Sequence, residues 1–338
     1  MKQLYRKLFF VACSISLAIC SFSQDIHFSQ FFEAPLYRNP ALAGIVNGDV
    51  RVQTVYRSQW NSIANAYKTT SLNAEYKLPV TGDDYLTVGL QVFHDKSGST
   101  NLTTTHVLPA LNYHKSLSSE KNMYLSLGFT GGYVQRSVDR SQMTTNSTYE
   151  GHGDGESALL QTRYGYMDGS AGISFNTQLS DNPENNLVIG AAYHHFNRPK
   201  NSFFNNESVA VQPKMVFSAD AKFAMGEEFV TTFYNDFVTQ GAYRETMSGM
   251  LLGYKVGPYS DTPDAILRAG GFLRWGDAFI PVVQLDYRTF SVSLSYDVNL
   301  SKLSTTSYGR GGYELSVTYA GFLDRENSSA NAVRCPHF

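Results

Sequence analysis

Beyond residue 24 this 338-residue chain has no apolar run long enough for a membrane helix. Such a helix needs about 20 consecutive apolar residues, and here a charge, Gly or Asn interrupts every stretch within a few positions. Charge itself is scarce. Asp, Glu, Lys and Arg make up 17% of the chain, below the usual quarter of soluble domains. The net charge of −2 offers no basic surface to nucleic acid. Cysteine is almost missing. Cys13 and Cys20 lie in the leader and only Cys335 follows it, so no intramolecular disulfide or Cys-rich metal site can form. The Cys335 thiol either has no role or serves an intermolecular contact or modification. No P-loop, Rossmann glycine pattern, Ser–His–Asp order or His-Glu-x-x-His occurs. These absences point to a non-enzyme without cofactor or metal.

The leader sets the compartment. Lys2, Arg6 and Lys7 precede an apolar stretch from Leu8 to Ile19, and Ser21-Phe22-Ser23 is a small-x-small site. This pattern predicts a signal peptide over 1–23, cleaved before Gln24. A lipoprotein reading through Cys20 is weakened by Ile19, where a small residue is wanted. The exported chain is therefore either soluble or spans a membrane as strands.

Composition favours strands. Tyr and Phe number 22 each against Trp 2, and aromatic residues with Ser, Thr, Asn and Gly suit strands joined by wet turns. Period-2 alternation recurs from 49 to 320. Phe290, Val292, Leu294, Tyr296 and Val298 alternate with Ser291, Ser293, Ser295 and Asp297, which puts apolar and polar side chains on opposite faces. The alternation predicts about fourteen strands: 49–58, 67–77, 85–95, 102–115, 122–135, 164–177, 187–196, 211–223, 228–237, 243–256, 264–275, 279–287, 289–298 and 312–321. Many reach the roughly 9–11 residues of a tilted membrane strand, whereas globular strands centre on about 5–6.

Loop lengths carry a second signal. With the N-terminus in the periplasm, connections after even strands are short and include a tight hairpin near Arg288. The three longest, 136–163, 197–210 and 299–311, all follow odd strands. Outer-membrane barrels sort their loops this way and soluble sandwiches have no reason to. The expected fold is all-β: a transmembrane antiparallel outer-membrane barrel over 49–321. Hydrocarbon cannot satisfy a free strand edge, so the first strand should pair with the last. Tyr56, Tyr76, Tyr113, Phe196, Tyr254, Tyr287 and Phe322 are candidates for interfacial aromatic girdles.

Polar clusters suggest little chemistry. The segment from Gly151 to Glu156 could offer oxygens to a hard cation, but its composition also suits a flexible external loop. His194 and His195, adjacent in a strand, should point to opposite faces as solvated strand-end residues. Asp220, Glu245, Asp286 and Asp297 are expected to line a polar interior.

The segment 24–48 is too apolar for a disordered leader and too interrupted by Pro35 and Pro40 for a helix or long strand. It should pack in the barrel mouth or lumen, as a periplasmic or plug segment. Its motifs are Phe28-Ser29-Gln30 and Asn39-Pro40-Ala41-Leu42-Ala43-Gly44, followed by Tyr56-Arg57-Ser58-Gln59-Trp60. Late in the chain come Ser295-Tyr296-Asp297, Ser301-Lys302-Leu303-Ser304 and Cys335-Pro336-His337-Phe338. In order and spacing these resemble the PorP/SprF family of type IX secretion system membrane proteins of Bacteroidetes. Two departures, Ala34 where the family often has Asn and Gly312-Tyr313-Glu314 where it often has Ser-His-Glu, bear on subfamily and partner.

The resemblance implies an outer-membrane component of the type IX machinery. It would support secretion or surface attachment of large adhesins, including those of gliding motility. Implied partners are outer-membrane lipid, periplasmic ring subunits and cargo bearing a C-terminal sorting domain. The motif residues Phe28, Gln30, Asn39, Pro40, Gly44, Arg57, Gln59, Trp60, Tyr296, Asp297, Lys302, Cys335 and Phe338 become candidates for partner contact. The tail 322–338 would be periplasmic. The rival readings are a diffusion porin or small-molecule transporter with a wet lumen, and a soluble secreted β-sandwich adhesin.

Overall fold

The alternating segments form one continuous antiparallel ladder that closes on itself. The computed structural model describes residues 25–59, 67–152, 161–260, 262–301 and 310–323. Its strands are β1 (Val50–Gln59), β2 (Tyr67–Pro79), β3 (Tyr85–Ser97), β4 (Leu102–Ser118), β5 (Met123–Ser137), β6 (Arg163–Gln178) and β7 (Asn186–His194). There follow β8 (Lys214–Met225), β9 (Phe229–Gln240), β10 (Tyr243–Val256), β11 (Ala265–Arg274), β12 (Ala278–Tyr287), β13 (Phe290–Asn299) and β14 (Arg310–Gly321). Each pairs with its sequence neighbours, and β1 pairs with β14 from Val50↔Gly321 to Gln59↔Gly312. The fourteen strands and the closing pair are those that the alternation predicts.

Two of the boundary shifts have clear local causes. The predicted strand from 211 begins at Lys214 because Pro213 has no N–H to give the ladder. β7 stops at His194 because His195 takes φ +56°, the left-handed region that ends a strand. At the tight hairpin between β12 and β13, Arg288 likewise adopts φ +55°.

The barrel is apolar outside and polar inside. Leu72, Leu127, Phe217, Phe233, Leu252 and Leu294 are exposed around its wall, while Ser71, Asn73, Gln91, Asn112, Ser126 and Ser295 are buried. In water this arrangement would expose the hydrophobic faces of most strands. In a bilayer it gives a lipid-facing band around a polar lumen. One mouth carries the short connections and the ends Val50 and Gly321; we call it the turn end. The other carries the longer connections, and we call it the loop end.

Candidate functional site: the segment inside the barrel

Residues 25–49 occupy the lumen. The path starts at the loop end, where Asp25 meets β8 and β9, and descends to the turn end, where Lys77 donates to the Val46 carbonyl (3.1 Å) and Gly48 adjoins Gly321. Three short helical turns punctuate it, at Phe31–Glu33, Pro35–Arg38 and Pro40–Leu42. Pro35 and Pro40 begin two of these, where a missing N–H costs nothing. A chain of short turns leaves many backbone groups without internal partners, so the wall must satisfy them.

Near the loop end the wall supplies carboxylates. Glu314 on β14 accepts from the backbone N–H groups of Ser29 (2.6 Å) and Gln30 (2.7 Å). The Gln30 amide donates to Ser295 Oγ (2.9 Å) and the Glu314 carbonyl (3.0 Å). Arg57 on β1, only 2% exposed, bridges Asp297 and Glu314, each at 3.0 Å, and donates to the His27 carbonyl. Arg274 on β11 reaches Asp297 (3.3 Å) and Ser29 Oγ (2.6 Å). Phe28 lies edge-on to Phe93 and packs with Val55 and Ala34. Thus Phe-Ser-Gln, Arg57 and Asp297 form one constellation across the β1–β14 seam.

Midway, Arg38 is held by two aspartates. Its guanidinium forms ion pairs with Asp220 on β8 and Asp236 on β9 and lies 5.0 Å from the Phe31 ring centre. All three charged side chains are buried. Such a group is stable only while fully paired, and losing one partner costs about 3–5 kcal/mol.

Below this, Asn39-Pro40-Ala41 rests on glycines. The Asn39 side chain accepts from Ala41 N–H (2.8 Å), capping the turn at Pro40–Leu42, and donates to the Ile173 and Ala191 carbonyls (3.1 and 3.3 Å). A Cβ on Gly172 of β6 would strike the Asn39 side chain, and one on Gly128 of β5 would strike the Pro40 backbone. Side chains there are excluded so that two backbones can approach. Asn112 donates to the Ala41 and Ala43 carbonyls, both at 2.8 Å. Gly44 turns at φ +79° and donates to Glu75 Oε2 (2.7 Å), and the same carboxylate pairs with Arg51 through Oε1 (2.7 Å).

At the loop end a second charged cluster holds Asp25. His195 reaches Asp25 (2.8 Å) through one ring nitrogen and Asp168 (2.7 Å) through the other, and Lys214 lies 3.0 Å from Asp25. Burial alone would lower the His195 pKa, but the two carboxylates outweigh it and raise it to about 9. Burial likewise opposes ionisation of Asp25, yet Lys214 and His195 hold its carboxyl well below the usual range. Between this part of the segment and β8–β10 the remaining void is about 60 Å³, lined by residues that include Phe28, Tyr37, Lys214 and Met247. It has room for about four waters.

The motif residues divide between interior and exterior. Phe28, Gln30, Asn39, Pro40, Gly44, Arg57 and Asp297 are buried inside. The Gln59 side-chain amide lies against the Arg57 guanidinium. Tyr296 points to the lipid side. Trp60, Lys302, Cys335 and Phe338 lie outside the described residues, as do most of the glycine-rich stretch after residue 152 and all but the start of the tail. One expectation is corrected: His194 and His195 are not solvated on opposite faces. Both are buried, because the backbone turn at His195 breaks the alternation and returns its ring to the lumen.

Sequence reasoning passed over Arg38, Glu75, Glu314 and the Asp25–His195–Lys214 cluster. A signal existed in the charges at inward strand positions, where a lone luminal arginine needs a carboxylate. The strands that supply it could not be named from sequence.

The fold and its interior define a class: an outer-membrane β-barrel with its own N-terminal segment packed in the lumen. A family model described as "Type IX secretion system membrane protein PorP/SprF" matches residues 20–319, and the chain belongs to this family. It is thus a membrane protein of the type IX secretion system, located in the outer membrane, and membership implies partners among the secretion components. No curated protein matches the chain. Among solved structures it is similar to the CymD monoaromatic hydrocarbon channel, with 12% identity, TM-score 0.49 and coverage of 88% of this chain and 95% of that one. The Pseudomonas putida toluene transporter TodX has 12% identity, TM-score 0.48 and coverage of 85% and 92%. The KdgM porin has 7% identity, TM-score 0.35 and coverage of 80% and 98%.

Proposed function

We propose that this chain is a plugged, non-catalytic scaffold in the outer membrane. The turn end and the tail 322–338 face the periplasm and dock on ring subunits of the type IX apparatus. The loop end, with 136–163, 197–210 and 299–311, receives large adhesins or other cargo carrying a C-terminal sorting domain, including adhesins used in gliding. The observation that carries this reading is the occupied lumen. Residues 25–49 run its length, anchored by Asp220 and Asp236 on Arg38, by Arg57 on the His27 carbonyl and by Glu75 on the Gly44 N–H. A diffusion porin needs a clear passage, and this segment stands in it. The proposed role of the motif residues from Phe28 to Gly44, with Arg57 and Asp297, is to keep it seated.

Three experiments test the proposal. Affinity purification of the tagged protein from outer membranes should recover ring subunits, and recovery of envelope background alone would count against docking. In planar bilayers the protein should give no large steady conductance; stable solute-dependent currents would favour the porin. Deletion of the part of 136–163 that lies between the strand ends Ser137 and Arg163 should spare the barrel and impair adhesin attachment or secretion.

A further inference from the structure

On the lipid-facing wall near the loop end, two lysines stand side by side. Lys68 on β2 is the direct cross-strand partner of Lys96 on β3, and Thr70 is the partner of His94 one step below. On β4, Thr103 and Thr105 sit opposite Lys96 and His94. Lys68, Thr70, His94 and Lys96 are all exposed. They share the outward phase of Leu72 and Leu90, which begin the apolar band on the same strands. Like charges directly opposite one another are destabilising, so this pair requires compensation.

The described residues do not provide it. The lysines that reach carboxylates are Lys115 with Asp84, Lys200 with Glu207, Lys214 with Asp25 and Lys255 with Glu184. Asp95, next in sequence to Lys96, points inward and accepts from Thr69 (2.7 Å). The flanking stretches 60–66 and 97–101 contain no Asp or Glu. His94 Nδ1 is engaged by Thr105 Oγ1 at 3.0 Å, and the His94 side chain is otherwise exposed.

We propose that Lys68, His94 and Lys96 bind the phosphate of an anionic lipid headgroup. Position selects a lipid over a free anion. Side chains on one face recur every two residues, about 6.6 Å along a strand, so the cations stand two to three such steps beyond Leu72 and Leu90. That places two cations where headgroups lie, with acyl chains against the band below, and basic side chains at this level attract anionic lipid. The strands fix the two backbone positions side by side before the ligand arrives, so only the side-chain rotamers need ordering on binding.

The test uses the full-length protein in zwitterionic detergent, with native mass spectrometry against dioleoyl phosphatidic acid, dioleoyl phosphatidylcholine and inorganic phosphate. Phosphatidic acid should bind in preference to phosphatidylcholine, and millimolar inorganic phosphate should not displace it. The variant Lys68→Ser/Lys96→Ser should bind phosphatidic acid roughly tenfold or more weakly, while Lys68→Arg/Lys96→Arg should retain binding. Heat-modifiable migration checks that each variant forms its barrel. The control Arg163→Ser/Arg244→Ser removes two exposed cations elsewhere near the same rim and should leave binding unchanged. Equal affinity in the double-Ser variant, an equal loss in the arginine control, or displacement by inorganic phosphate would each overturn the proposal.

Discussion

Arg38 and Asp220, 182 residues apart in the chain, meet inside the barrel with a hydrogen bond of 2.6 Å between Nη2 and Oδ1. Asp236 closes on the same guanidinium from β9, with two bonds to Nε at 2.8 and 2.9 Å. One cation on the luminal segment thus ties it to two adjacent wall strands.

Arg38→Ala leaves two carboxylates facing each other without a counter-charge. The expected loss in unfolding free energy is about 3–5 kcal/mol, read as a lower denaturant midpoint in micelles. Adding Asp220→Asn and Asp236→Asn should restore part of it, because the repulsion is gone. If Arg38→Ala unfolds like wild type, the cluster does not hold the segment.

Gly172→Leu places a side chain in the space that Asn39 occupies. Overpacking of this kind costs about 1–3 kcal/mol. The barrel can relieve it by expelling the segment, so a cysteine introduced at Ala41 should become reactive to a water-soluble maleimide. Labelling no faster than in the parent Ala41→Cys protein would count against the close approach.

Asn39→Ala removes a helix-turn cap and two hydrogen bonds to wall carbonyls. The expected cost is about 1–3 kcal/mol. Asn39→Asp keeps the cap oxygen but cannot donate to Ile173 and Ala191, so it should be no better than Ala. Recovery of wild-type stability by Asp would show that the cap alone matters.

The His195 cluster predicts a pH dependence at the alkaline end. Its pKa in the folded chain is raised to about 9, from about 6.5 in an unfolded one. The stabilisation is therefore complete below about pH 6.5 and is lost as pH rises through 9. The groups facing the ring are Asp25 and Asp168, with the His194 ring 6.3 Å away and Lys214 paired to the same Asp25. Thermal unfolding followed from pH 6 to 10 should fall across this window, and His195→Gln should flatten that part of the curve. An unchanged slope in the variant would assign the effect to another group.

The wall was legible in the sequence because a membrane strand writes its two faces into alternate residues. Phe290 to Asp297 shows this without any structure. The interior was legible only in outline. Pro35 and Pro40 announce a segment that is neither helix nor strand, and its apolar content calls for burial. Nothing in the local sequence joins Arg38 to Asp236, because their contact depends on where a strand 198 residues further along comes to lie in the closed ring. His195 misled for a related reason: alternation holds only while the backbone stays extended, and a single left-handed residue cancels it. Gly128 and Gly172 read as ordinary strand glycines until the chain that crosses them is known.

The contacts between Ser29, Gln30 and Glu314 bear on the order of assembly. Ser29 and Gln30 are separated from Glu314 by 285 and 284 residues, so two early positions are anchored by the last strand made. Thr318 on the same strand also donates to Glu33 (3.1 Å). The segment therefore cannot acquire its seam contacts until β14 exists, and β14 meets β1 over the very residues that the segment binds. Pairings this distant in sequence form slowly. Closing the ring and locking its filling are one event, so a lesion in either strand of the seam should delay maturation more than an equal lesion midway around the wall.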